Sequence, residues 1–63
     1  MKIFRVDVRA EGDQYHIGVF GRSKKGSVVS NHARIYGEAF IVDMIKELIK
    51  GVKEHDVPNS NKD

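Results

Sequence analysis

The chain has no cysteine, and its single proline, Pro58, lies close to the C-terminal end. Without cysteine, neither a disulfide nor a zinc–thiolate centre can brace the fold. Long apolar runs are missing as well. The longest, Ala39-Phe40-Ile41-Val42, is far too short to cross a bilayer. No signal-peptide pattern is present, and a cysteine-free chain of this kind fits the cytoplasm. With 63 residues there is room for one small domain, and a domain of that size buries only about 60% of its unfolded surface. One apolar core, completed by dimerisation if at all, must hold it together.

Charge is present and unevenly placed. Residues 1–36 carry seven Lys or Arg against three acids, a balance of +4, while residues 37–63 carry four Lys against six acids, a balance of −2. A positive N-terminal half favours an anionic partner there.

The clearest periodicity lies in residues 37–55. Ile41, Ile45, Leu48 and Val52 recur at spacings of three and four, the stripe of an amphipathic helix, with Val42, Met44 and Ile49 widening it and Phe40 at its border. Asp43, Lys46, Glu47, Lys50, Lys53 and Glu54 fill the opposite arc. Gly37 is an acceptable N-cap, Glu38 suits the positive end of the dipole, and Gly51 either ends the helix early or costs about 1 kcal/mol inside it.

The preceding residues alternate as strands do. In residues 2–9, Phe4, Val6 and Val8 point one way and Ile3, Arg5, Asp7 and Arg9 the other. A turn is expected at residues 10–13. Residues 14–20 place Tyr15, Ile17 and Val19 on one face and Gln14, His16, Gly18 and Phe20 on the other. After a loop at residues 21–26, residues 27–36 turn Val29, Ala33 and Ile35 inward and Val28, Ser30, His32, Arg34 and Tyr36 outward. Asn31 lands inward, which a bulge near Ser30-Asn31 would relieve. The expected architecture is α+β: a three-stranded antiparallel meander followed by one helix on one face (βββα), spanning residues 1–55. Residues 56–63, DVPNSNKD, read as a disordered tail.

One helix covers one side of such a sheet, so the other side must meet water or a partner. If Arg9 faces Gln14 and Phe20 faces Val28, the open side carries an apolar row (Ile3, Phe20, Val28), an ionisable row (Asp7, His16, His32) and a basic row (Arg9, Gln14, Arg34) with Arg5 beside it. Gly18 leaves a flat place at the centre where a ring can approach. Phe20 and Tyr36 are candidates to stack on bases, and Arg5, Arg9, Arg34 and the loop residues Arg22, Lys24 and Lys25 to meet phosphates. His16 and His32 complete the candidate surface. With Asp7 they could also bind a divalent metal or act as acid and base on RNA, although ordinary cross-strand pairing explains them as well. The GRSKKG loop lacks the G-K-[ST] of a phosphate-binding loop.

The order strand-strand-strand-helix resembles the opening half of the ribonuclease H fold, with Asp7 and Glu38 where that family places two acidic metal ligands. The later strands and their acids are absent, so the resemblance implies a shape rather than the activity. Truncated versions of that fold among small antitoxins suit a non-enzymatic role. GRSKKG also looks like part of double-stranded-RNA-binding domains, where it leads into a helix.

These readings predict a non-enzymatic protein that needs neither cofactor nor metal and binds nucleic acid on its open sheet face. The alternative is an inhibitor or antitoxin of the phage type that docks on a larger host protein; a small ribonuclease ranks third. The edge of the third strand carries no Lys, Arg, Asp or Glu from Val28 to Ala33, so a homodimer is expected, through that edge or through helix packing at Phe40 and Met44.

Overall fold

The computed structural model describes residues 2–55; the C-terminal segment expected to be disordered falls outside them. Strands β1 (Lys2–Glu11), β2 (Gln14–Arg22) and β3 (Val28–Tyr36) form one antiparallel sheet in the order β1-β2-β3. A 3-10 turn (Glu38–Phe40) leads into helix α1 (Ile41–His55), which packs on one face. This is the expected βββα arrangement. Among the described residues no helix is long and apolar enough to cross a membrane.

Both hairpins are tighter than anticipated, and each pairing moves by two residues. Glu11 faces Gln14, so only Gly12-Asp13 turns the chain. A two-residue turn of this kind needs positive φ, and Gly12 supplies it at 66°. On the other side Arg22 faces Val28 across a five-residue loop. That loop is tied by the Ser23 N–H donating to the Ser27 carbonyl and the Gly26 N–H to the Ser23 carbonyl, both at 2.9 Å. A shift of two leaves every side chain on its expected face, because the strand period is two. It does change which residues are neighbours.

The irregularity of the sheet sits in β1, not in β3. Between Ile3, opposite Gly21, and Arg5, opposite Phe20, an extra residue is accommodated. This bulge reverses the facing of the first residues. Ile3, expected outward, packs against the core, and Phe4, expected inward, is 52% exposed and lies beside Phe20 on the open face. The bulge expected near Ser30-Asn31 does not form, and β3 pairs without interruption.

Asn31 does face inward, and the reason lies in the helix. Gly51 continues inside α1, and a Cβ built on it would stand 2.6 Å from Asn31 Nδ2. The glycine lets the helix settle over the short amide side chain, so two sequence anomalies explain each other. Asn31 Oδ1 in turn accepts the N–H of His32 at 3.1 Å.

The core is Ile17 and Val19 of β2 with Leu48 and Val52 of α1, ringed by Val29, Ala33, Ile35, Ile41, Met44, Ile45 and Ile49. Val6 and Val8 point to the helix side as expected yet remain 41% and 45% exposed. A helix about 10 Å across spans about two strands set roughly 4.8 Å apart. Here α1 lies over β2 and β3 and leaves β1 largely uncovered.

Candidate nucleic-acid interface

The face away from α1 is built from alternate residues of all three strands. Across the sheet, Arg5, Phe20 and Ser30 form one row; Asp7, Gly18 and His32 the next; then Arg9, His16 and Arg34; then Glu11, Gln14 and Tyr36. The pleat alone puts these side chains on one side. The candidate residues Arg5, Arg9, His16, Phe20, His32 and Arg34 are thus brought together, though in rows different from those anticipated.

The main feature is a file of rings that crosses the face from β1 through β2 to β3 and turns back to β2. Phe4 and Phe20 have centroids 6.5 Å apart. Phe20 meets His32 edge-on at 5.4 Å, and His32 meets His16 at 5.5 Å. Gly18 lies under this file. A Cβ there would stand 3.0 Å from His32 Nδ1 and 3.3 Å from the Phe20 ring edge. The flat place expected at Gly18 is therefore filled by the protein's own histidine, not left open for a guest.

Guanidinium groups flank the rings. Arg5 sits 5.8 Å from the Phe20 centroid and Arg22 5.6 Å from that of Phe4, both within cation–π range. Arg22 also donates to the Gly26 carbonyl at 2.9 Å, which draws the loop holding Lys24 and Lys25 to the same end of the sheet. Acidic groups moderate the charge without cancelling it. Arg5 Nε donates to both Asp7 oxygens at 3.0 Å, and Glu11 lies 3.9 Å from both Arg9 and Arg34. The side chains of Arg5, Arg9 and Arg34 are still 63%, 71% and 66% exposed. Tyr36 closes the far end, accepting from Gln14 Nε2 at 2.9 Å.

Phe4 was not among the candidates, because the alternation of residues 2–9 assigns it to the core. The one hint is the adjacent pair Ile3-Phe4, two apolar residues where a regular strand needs only one inside.

Asp7, His16 and His32 border a shallow hollow of about 50 Å³ with Arg9, Gly18 and Phe20, but they do not form the straight row anticipated: Asp7 is across from Gly18 and His16 across from Arg34. Among the described residues no group of three His, Cys, Asp or Glu is placed to hold a metal ion. Asp7 and Glu38 do not converge either. Asp7 is on the open face, while Glu38 reaches the hydroxyl of Tyr15, on the helix side, at 3.5 Å. That removes the structural basis of the ribonuclease H comparison of these two acids.

A second concavity, of about 400 Å³, lies on the helix side at the β3 edge and is lined by Ile35, Tyr36, Phe40, Asp43, Met44 and Glu47. It joins two of the residues considered for dimerisation. Val28, which belongs to the alternative of pairing along the β3 edge, is at the other end of that strand, about 26 Å away at the usual strand rise.

No protein-family model matches the chain, and no curated protein or solved structure matches it.

Proposed function

We propose that this protein is a non-enzymatic binder of single-stranded nucleic acid and that its open sheet face is the binding surface. The observation that carries the reading is the ring file Phe4–Phe20–His32–His16 with Arg5 and Arg22 beside it. Exposed rings on a sheet offer π-faces to unpaired bases, and flanking arginines meet the phosphates between them. Paired bases keep their faces hidden, so the surface suits single strands over duplexes.

The test is titration of labelled single- and double-stranded oligonucleotides at two salt concentrations. Phe20→Ala is expected to weaken single-strand binding by ~1–3 kcal/mol with little change in salt slope. Arg5→Ala or Arg34→Ala is expected to weaken binding to all sequences and to lower the slope by about one unit per lost phosphate contact. Absence of any affinity at low salt overturns the reading.

One observation favours a second reading, docking on a larger protein. The concavity beside Phe40 and Met44 presents mainly apolar surface, the kind that partners bury. A partner captured from host lysate that survives nuclease treatment, and is lost with Phe40→Asp, supports that alternative.

A further inference from the structure

We propose that β1 pairs antiparallel with β1 of a second copy, about a two-fold axis through Val8, to make one continuous six-stranded sheet. Among the described residues β1 is an edge of the sheet, and the outer N–H and C=O groups of its backbone face no neighbouring strand there. Its regular part is bounded on both sides: the bulge ends it at Arg5, and the Gly12-Asp13 turn ends it at Glu11. The centre of that stretch is Val8.

The residues of this stretch are self-complementary about that centre. On the open face Arg5, Asp7, Arg9 and Glu11 alternate in sign. Reversing the strand about Val8 sets Arg5 opposite Glu11 of the second copy and Asp7 opposite Arg9, each twice by symmetry. On the helix side the same register sets Val8 opposite Val8 and Val6 opposite Ala10. Every cation meets an anion and every apolar residue an apolar one. A shift of the axis to Asp7 would set Arg5 against Arg9 and Asp7 against itself. Exposed ion pairs add little affinity, so the charges select the register while backbone hydrogen bonds and the valines hold it.

The other edge offers no such match. The outward residues of β3 from Ser30 to Tyr36 include Arg34 and His32 but no acid. One of its backbone donors, His32 N–H, is already taken by the side chain of Asn31. The proposal also accounts for Val6 and Val8, which α1 leaves uncovered and which would then lie in the middle of the assembly, with a helix on each side. It does not rest on the nucleic-acid reading, although it would join two ring files into one longer surface.

The experiment measures association of the full chain by sedimentation equilibrium. Wild type is expected to dimerise. Asp7→Arg and Arg9→Asp, each alone, are expected to raise the dimer dissociation constant at least about tenfold by opposing like charges. Mixing the two variants is expected to restore association as a heterodimer, because Arg at position 7 of one chain then faces Asp at position 9 of the other, while the second place keeps the native pairing of Arg9 with Asp7. That rescue also shows that each single variant is folded. Since the chain has no cysteine, Val8→Cys is expected to form an oxidised homodimer, whereas Met44→Cys is not. A monomeric wild type at high micromolar concentration, single variants that dimerise as well as wild type, failure of the mixture to associate, or cross-linking at Met44 in place of Val8 would each overturn the proposal.

Discussion

Strand β2 is closed on both faces, and the two closures are of different kinds. Toward the helix, Ile17 and Val19 have no exposed surface and are covered by Leu48 and Val52, so order there comes from filling volume. Away from the helix, Gly18 is buried as well, but by His32 and Phe20, whose own outer surfaces face solvent. The buried residues of the first closure are all aliphatic and exclude water without a polar side chain of their own to satisfy. The second is a thin layer of rings with guanidinium groups set over them, which gains little from excluding water and keeps its charges at the surface. A strand with the same backbone on both sides thus carries an aliphatic core on one face and a polar, ring-bearing layer on the other.

Truncation should break the two closures unequally. Ile17→Ala or Leu48→Ala removes a side chain packed on all sides and is expected to cost ~2–5 kcal/mol, enough to unfold so small a domain. Phe20→Ala is expected to cost about 1–2 kcal/mol, since it gives up ring contacts on a half-buried surface. Lys46→Ala, on the outer arc of α1, should stay within about 0.5 kcal/mol. Urea denaturation of the set checks the order. A Phe20→Ala variant as unstable as Ile17→Ala would mean that the open face is a second core.

A smaller effect isolates one contact within the closed face. Gly51→Ala gains about 1 kcal/mol in helix propensity, but its Cβ meets Asn31 Nδ2 at 2.6 Å, and overpacking costs about 1–3 kcal/mol. A net loss of about 1 kcal/mol is expected. In an Asn31→Ala background the obstacle is gone, and the same substitution should be stabilising. A double-mutant cycle measures the sign change. If Gly51→Ala has the same effect in both backgrounds, the helix does not rest on Asn31.

Faces were legible in the sequence, and neighbours were not. Period-two alternation fixed inside and outside for β2 and β3 residue by residue, including the basic and aromatic character of the open side. The period of three and four did the same for Leu48 and Val52. Pairing depends on where each hairpin turns, and both loops close two residues tighter than composition suggested; Gly12 with positive φ permits the first. That displacement broke up the expected row of Asp7, His16 and His32. The bulge at Phe4 is set by how β1 meets Gly21 and Phe20 across the sheet, information that no local window of residues 2–9 contains. Asn31 and Gly51 each looked like a local fault because their explanation is a contact between residues twenty positions apart.

The smallest expected effect compares the glycines of the two faces. Gly18 on the open side stands to His32 as Gly51 on the closed side stands to Asn31, but the obstacles differ. A Cβ at Gly18 comes within 3.0–3.3 Å of His32 and Phe20, a tight fit but not a collision. His32 is exposed, so its ring can move outward by a few tenths of an ångström without opening a cavity. Alanine also suits a strand interior better than glycine by about 0.5–1 kcal/mol. Gly18→Ala is therefore expected to change stability by no more than about 0.5 kcal/mol. The ring file should shift all the same, which the His32 ring proton chemical shifts would report through the current of the Phe20 ring. A loss of stability larger than that of Gly51→Ala would show that the open face is packed as rigidly as the core, and the contrast between the two closures of β2 would then fail.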